Sequence, residues 1–423
     1  MLPAIILFAA TYVLMLVFSK YRPYIALASA VVFIATKMLP LGQIWPSIDL
    51  NVLLMIAGTM GLVALFIESQ MPSLLADLIM EKVPNVQMAA VALALFSGVI
   101  SAFVDNVATV LMVAPVALEI CNKLKTNPVP FIIGIAVSSN LQGAATLVGD
   151  TTAIMLGSAL DMSFMDFFVY NGKPGMFFAV ELGAVLSALI LAWIFRKEKG
   201  AIPKAASRTQ VTDYVPTVLL VGTIVLLISA SFIPNKPDTT NGLICCGLLV
   251  IGLAYNLIRK KNISAITEPL KAIDFETIAL LVGLFLMIGG ISHMGVIDAL
   301  AQLLAKLGGG NVFLMYTVIV WASVLISAFI DNIPYVATMI PVIGSLAIEM
   351  GCDPTVLYFG LLSGATLGGN CTPIGASANI TGIGILRKAG HEVKNADFFK
   401  IGIPFTLAAI IPAYIYLWIF FGA

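Results

Sequence analysis

Charged residues are scarce in this sequence. Lys, Arg, Asp and Glu make up 10% of its 423 residues, against roughly 25% in an average soluble domain. Apolar residues make up 60%, and a soluble protein of this size needs a far more polar surface. Apolar stretches that can cross a hydrocarbon core of ~30 Å recur along the chain. The sequence therefore predicts an all-α polytopic protein of the cell membrane, in contact with the lipid bilayer.

Cysteine and histidine are equally sparse. The five cysteines form no CxxC pair, and there are only two histidines. This excludes a disulfide or zinc framework. The sequence also lacks a nucleophile–base pair and a phosphate-binding loop. We therefore expect no enzyme, no cofactor and no nucleic-acid partner.

An internal repeat runs through the chain. Residues 101–106 read SAFVDN, and residues 327–332 read SAFIDN, 226 positions later. Single residues return at the same spacing: Pro115 and Pro341, Gly143 and Gly369, Thr146 and Thr372, and Gly149 and Gly375. A collinear series of this length indicates a duplication.

The repeat and the apolar stretches together predict two units. The first is 1–195, with scaffold spans within 1–68, a re-entrant hairpin at 87–121, a broken helix at 128–158 and a span at 174–195. A cytoplasmic linker covers 196–213. The second unit is 214–423, with scaffold spans within 214–291, a hairpin at 311–350, a broken helix at 354–386 and a span at 401–421.

The basic residues give this threading an orientation. With the linker in the cytoplasm, 18 Lys and Arg lie inside and four lie outside, the asymmetry expected of a correctly threaded chain. The two units then have opposite orientation, the arrangement used for alternating access. If each hairpin were one full crossing instead, whole basic loops would move to the other side. The hairpin threading is therefore preferred.

Two acids stand out in the apolar segments. Asp105 and Asp331 are each followed by Asn and preceded four residues earlier by Ser. A carboxylate at the centre of a membrane helix costs about 2.5–3.5 kcal/mol. For a single Asp, a structural role with a hydrogen-bonded carboxyl group explains the position as well as an ion site does. Two at repeat-related positions favour an ion site at the membrane midplane.

Two glycine-rich segments follow these acids. Residues 142–152 read QGAATLVGDTT, and residues 368–379 read GGNCTPIGASAN. Glycine and proline disfavour a continuous helix, and unwound backbone within a membrane must line protein or a watery cavity. Close packing of helices through small residues is the alternative. The polar side chains within both segments favour broken helices beside a binding site.

The stretches AFVDNVATVLMVAP, QGAATLVGD, AFIDNIPYVATMIPV and LGGNCTPIGASAN resemble the ion transporter superfamily. The nearest branch holds the ArsB/NhaD permeases and the melanosomal P protein. The superfamily also includes the sodium-coupled dicarboxylate carriers and citrate transporter-like permeases. The resemblance implies a homodimer formed through scaffold spans and an elevator-type movement of the two hairpins with the two broken helices.

The resemblance also implies two Na⁺ sites. One would be formed by Ser101, Asp105, Asn106 and Gly149, and the other by Ser327, Asp331, Asn332 and Gly375. Further candidate ion- or substrate-binding residues are Thr109, Asn140, Thr146, Asp150, Thr151, Asn370, Thr372, Ser377 and Asn379.

This sequence departs from the family in two ways. It has acids where the dicarboxylate carriers have hairpin-tip serines, and two ionised carboxylates repel an anion unless cations neutralise them. It also reads Asp150-Thr151-Thr152-Ala153 where the P-protein pattern has Asp-Pro-Pro-Asn. Asp150 is either a third acid at the rim of the site or a hydrated surface acid.

Four functions remain open. The first is a secondary active transporter that couples or exchanges Na⁺ or H⁺ through the two Asp-Asn pairs. The second is cation-coupled transport of a small anion of the di- or tricarboxylate type. The third is arsenite or antimonite efflux, for which Cys371 in the second break is weak support without two partner thiols. An ion channel is disfavoured by the inverted repeat.

Overall fold

A computed structural model describes residues 1–198, 200 and 208–422. Lys199 and Lys204, which belong to the predicted linker, lie outside the described residues. The described chain is almost entirely helical, which confirms the predicted fold class. Short strands β1 (Val169–Tyr170) and β2 (Lys173–Pro174) pair as an antiparallel hairpin.

The helices of the first unit are α1 (Leu2–Val17), α2 (Arg22–Ala35), α3 (Ile44–Ser47), α4 (Leu50–Glu68), α5 (Met71–Met80), α6 (Val86–Ser101), α7 (Asn106–Leu124), α8 (Val129–Gln142), α9 (Thr151–Ala159) and α10 (Met176–Ile194). Those of the second unit are α11 (Val215–Ser231), α12 (Thr240–Lys260), α13 (Ser264–Lys271), α14 (Phe275–His293), α15 (Val296–Gly308), α16 (Val312–Ser327), α17 (Asn332–Met350), α18 (Thr355–Gly368), α19 (Ser377–Lys388) and α20 (Asn395–Phe421).

Several of these helices suit a membrane. Within the described residues, seven are long and apolar enough to cross one, or nine if each of two sharply bent pairs counts as one span. The bent pairs are α1 with α2 and α15 with α16, and each bends by 116°. The protein is therefore a multi-pass membrane protein. The re-entrant nature of the hairpins and the inversion of the two units stay predictions.

Side chains at the helix starts recur in matched positions. Asp49 and Asp274 accept a backbone N–H of α4 and α14, and Asn85 and Asn311 do the same for α6 and α16. An Asp or Asn at this position satisfies an N–H that has no partner within the helix. The same local sequence thus starts corresponding helices in both units.

The two predicted breaks lie between α8 and α9 and between α18 and α19. Gly143 and Gly369 directly follow the first helix of each pair. In the second break, a short 3₁₀ turn spans Gly369–Cys371 before the chain reaches Pro373. Because proline lacks a backbone donor, the helix cannot continue through it unchanged.

Helices of the two units interleave. α4 packs against α12, α14 against α2, and α10 against α20. The first two pairs approach closely at glycines. A Cβ added at Gly58 would lie 2.5 Å from the carbonyl carbon of Cys245, and a Cβ added at Gly283 would lie 2.7 Å from the carbonyl carbon of Ala26. α9 packs against α17, and α19 packs against α7. Each hairpin is thus joined to the broken helix of the other unit.

The described part of the linker is fastened to the first unit. Arg208 donates from Nε and Nη2 to the two carboxylate oxygens of Glu81 at 2.6 and 2.7 Å. Thr209 donates to Asp77, and the Thr212 N–H donates to the Ser69 carbonyl. The segment 208–213 therefore follows the ends of α4 and α5.

Candidate ion and substrate site

Each hairpin turns at its Asp-Asn pair. α6 ends at Ser101 and α7 begins at Asn106, while α16 ends at Ser327 and α17 begins at Asn332. Asp105 Oδ1 accepts the N–H groups of Val107 and Ala108 at 3.0 and 3.1 Å. Asp331 Oδ1 accepts the Ile333 N–H at 3.1 Å. Both acids are N-caps, which fixes their carboxylates at the positive ends of α7 and α17.

Backbone carbonyls of each hairpin approach a glycine of the break in the same unit. A Cβ at Gly149 would lie 2.6 Å from the Gly143 oxygen and 2.9 Å from the Ser101 and Ala102 oxygens. Thr146 also donates to the Ala102 oxygen. Only glycine allows so close an approach of backbone oxygens.

The second unit repeats this arrangement. A Cβ at Gly375 would lie 2.6 Å from the Gly369 oxygen, 2.8 Å from that of Ala328 and 2.9 Å from that of Ser327. Thr372 donates to the Ala328 oxygen. We call these two places the Gly149 cleft and the Gly375 cleft. Backbone oxygens thus lie close to each glycine, and backbone carbonyls are one class of ligand that hard cations take.

A cavity of about 200 Å³ lies where four helix starts meet. It is lined at these starts by Asp105, Asn106, Val107, Ala108, Asp150, Thr151, Asn332, Ile333 and Ser377. Its other lining residues are Met60, Val63, Ala64, Ile67, Leu111, Ala272, Asp274 and Thr277. Among these described residues are three carboxylates and no Lys or Arg. The N-termini of α7, α9, α17 and α19 offset part of the negative charge.

Asp150 is a buried member of this cavity. Asp150 is only 5% exposed, so the interpretation of this residue as a hydrated surface acid is wrong. Thr152 donates to Asp150 Oδ2 at 2.8 Å, and Asn332 Nδ2 lies 3.4 Å from the same oxygen. The acid of the first break is thus in contact with the hairpin tip of the second unit, because α9 packs against α17.

A chain of amides connects the first hairpin tip with the second break. Asn106 Nδ2 donates to Asn140 Oδ1 at 3.0 Å, and Asn140 Nδ2 donates to Asn370 Oδ1 at 3.0 Å. Asn370 Nδ2 in turn donates to the Val137 oxygen at 2.9 Å. Asn140 and Asn370 are fully buried. Buried amides are costly without partners, and these hydrogen bonds join the end of α8 to Asn370 in the second break.

Asp331 differs from Asp105 in its surroundings. It is not among the residues that line the cavity, and its Oδ2 accepts a hydrogen bond from Arg22 Nη1 at 3.1 Å. Nothing in the sequence singled out Arg22, which is the first residue of α2. The two repeat-related acids are therefore inequivalent in this conformation.

The structure brings some predicted residues together and separates others. Those that line the cavity are Asp105, Asn106, Asp150, Thr151, Asn332 and Ser377. Those around the clefts or the amide chain are Ser101, Asn140, Thr146, Gly149, Ser327, Asn370, Thr372 and Gly375. Thr109 donates to the Asp105 carbonyl, and Asn379 donates to the Gly369 and Thr372 carbonyls.

Sequence reasoning missed four residues of this region. They are Arg22, Asp274, Thr152 and Thr366, whose hydroxyl lies 3.3 Å from that of Thr152. Asp274 had a usable signal, because it recurs as the counterpart of Asp49 in the repeat. Arg22 had none, since 309 positions separate it from Asp331.

Comparison with known proteins shows the family of this chain. A family model described as "CitMHS: Citrate transporter" matches residues 12–364. The chain belongs to this family. One relative, an uncharacterized transporter of Mycobacterium bovis, is 30% identical over 430 residues, covering 98% of this chain and 97% of the relative. The chain is therefore a membrane carrier and no enzyme.

Two more distant proteins are also similar to this chain, the second of them in fold alone. The human P protein is 26% identical over 446 residues, covering 88% of this chain and 53% of that protein. The crystal structure of the YdaH transporter of Alcanivorax borkumensis aligns with a TM-score of 0.62 at 13% identity, covering 95% of this chain and 98% of that one. The predicted resemblance to the ion transporter superfamily is confirmed.

Proposed function

We propose that this protein is a secondary active transporter that couples to or exchanges Na⁺ or H⁺ at the cavity holding Asp105 and Asp150. The observation that carries this proposal is the charge of the cavity. Its described lining includes Asp105, Asp150 and Asp274 but no basic residue. Carboxylates close together in a partly dry site favour bound cations or protons, which relieve their mutual repulsion.

The two clefts supply the remaining ligands in this proposal. Na⁺ prefers several oxygens, and carbonyls converge at Gly149 and Gly375 beside the hairpin tips. We propose Na⁺ at both clefts, as the family resemblance implies, and H⁺ as a competitor for the same carboxylates.

The cavity position fits an inward-facing state. The cavity touches Ile67 near the end of α4 and Asp274 at the start of α14, both of which the basic residues place near the cytoplasm. We propose two inverted units, a homodimer through the scaffold spans, and an elevator-type movement that carries the cavity to the other side. The cargo is a small ion or small molecule.

Transport of a small anion together with cations is the second candidate. α9 and α19 begin without a side-chain cap, and Thr151 and Ser377 at their first positions line the cavity. Uncapped helix N-termini bind anions well, and the family description names citrate. Cations bound first at the acids would remove the repulsion of such an anion. No specific observation favours arsenite.

Proteoliposomes test the first candidate. Na⁺ added outside should dissipate an imposed pH gradient, and Asp105→Asn and Asp150→Asn should each abolish most of this activity. Glu119→Gln is the matched control, since Glu119 forms an exposed ion pair with Lys123. Unchanged activity in both Asp variants would exclude these acids as the cation site. Citrate uptake that requires Na⁺ or H⁺ would select the second candidate.

A further inference from the structure

The two hairpin-tip acids face different partners. Asp105 borders the cavity, whose described lining contains no basic residue. Asp331 Oδ2 accepts from Arg22 Nη1 at 3.1 Å, and the two side chains are 17% and 23% exposed. Because both acids are N-caps of corresponding helices, this difference comes from the helices around them and not from their local sequence.

Arg22 is held in place at two of its nitrogens. Its Nε donates to the Met15 carbonyl at 3.2 Å while Nη1 donates to Asp331. Arg22 is the first residue of α2 and lies at the 116° bend between α1 and α2. A guanidinium that bonds on two sides is oriented, unlike most solvated surface pairs.

Helix α1 also contacts α17. Tyr12 of α1 donates to the Pro334 carbonyl at 2.6 Å and contacts the Thr338 hydroxyl. The α1–α2 corner therefore holds the first turns of α17 through one ion pair and one tyrosine. A movement of α17 past this corner breaks both contacts together.

We propose that Arg22 is a tethered counter-cation for Asp331. It occupies the carboxylate in this conformation and has to leave before Asp331 takes a transported cation. An arginine stays charged at any working pH, so the guanidinium and a mobile cation exclude each other from one carboxylate. This proposal rests on the cation sites of the proposed function.

One consequence concerns how many cations bind at once. In this conformation the acids of the cavity are open to a cation, whereas Asp331 already has a positive partner. Asp331 becomes available when α17 moves away from the α1–α2 corner. The two repeat-related sites therefore fill in different conformations.

A double-mutant cycle tests the pair without any transport measurement. The thermal unfolding midpoint is measured in detergent for wild type, Arg22→Gln, Asp331→Asn and the double variant. We expect the double variant to be destabilised by clearly less than the sum of the two single changes. Additive effects would overturn the proposal. If Arg22→Gln is not recovered from membranes, the neutral variant Arg22→Met takes its place in the cycle.

A Na⁺ titration tests the competition. The purified proteins are titrated with NaCl against choline chloride while the unfolding midpoint is followed. Arg22→Gln should need about three- to fivefold less Na⁺ for half-maximal stabilisation, the size expected for loss of a partly exposed ion pair. The gain should vanish in the double variant. Lys20→Gln, a nearby exposed basic residue, is the control and should match wild type.

The two tests separate this inference from the proposed function. If no protein responds to Na⁺ but the cycle shows coupling, the tether stands and Na⁺ is excluded as the cation. If wild type responds to Na⁺ and Arg22→Gln responds identically, the competition is disproved while the proposed function stands. Absence of coupling disproves the tether whatever the transport result.

Discussion

Alanine at Gly149 probes the proposed cation site where the structure leaves least room. The added Cβ would lie 2.6 Å from the Gly143 oxygen and 2.9 Å from two further backbone oxygens. Ordinary contacts between non-bonded heavy atoms begin near ~3.5 Å, so the backbone segments have to separate by about 0.6–0.9 Å. No rotamer change relieves this contact, because all three oxygens belong to the main chain.

The size of the effect follows from this overlap. Overpacking a well-packed site costs about 1–3 kcal/mol. If that cost falls on the cation-bound form, the affinity for the cation decreases about 5- to 150-fold. Gly375→Ala should behave alike, because its Cβ would lie 2.6 Å from the Gly369 oxygen.

The assay is Na⁺-dependent thermal stabilisation of the purified protein, followed by Na⁺-dependent dissipation of a pH gradient in proteoliposomes. Gly384→Ala is the control, because a Cβ added there would meet no atom within 4 Å beyond its own stretch of helix, and alanine at this position in α19 should be neutral or slightly stabilising. A Gly149→Ala protein that melts and responds to Na⁺ like Gly384→Ala would refute the close approach and its role.

Two further predictions concern parts of the chain with opposite burial. Asn140→Ala should destabilise the protein by about 1–3 kcal/mol, because it removes the hydrogen-bond partner of the buried Asn106 Nδ2 and of the buried Asn370 Oδ1. Chemical denaturation in detergent measures this change, and a value as small as that for an exposed residue would contradict the amide chain. Arg208→Ala should leave the unfolding midpoint near that of wild type at all salt concentrations. The reason is that the ion pair with Glu81 is at the surface and 60% of the Arg208 side chain is exposed. A large loss of stability would contradict this and show that the linker contributes to the stability of the fold.

Local sequence was sufficient for much of the fold. The two breaks followed from glycine and Pro373, because a helix break depends on residues within one or two turns. The Asp-Asn pairs were found for the same reason, because a charged residue within an apolar segment can be recognised from the sequence alone. Asp105 indeed lines the cavity together with Asn106.

Contacts between distant helices were beyond such reasoning. The burial of Asp150 depends on how α9 packs against α17, and the partner of Asp331 depends on where the α1–α2 corner lies. Neither arrangement leaves a periodic or spacing signal in the sequence. The repeat even suggested that Asp105 and Asp331 are equivalent, which the position of Arg22 contradicts.

The interleaving of α2 with α14 has a consequence for biosynthesis. About 240 residues separate the end of α2 from the start of α14, which a ribosome takes roughly 12–50 s to translate at 5–20 residues per second. During that interval the face of α2 around Ala26 has no partner helix and must be covered by lipid or by the insertion machinery. The helices of the first unit therefore cannot complete their packing before the second unit is made. A chain that ends before α14 leaves this face of α2 without its partner helix.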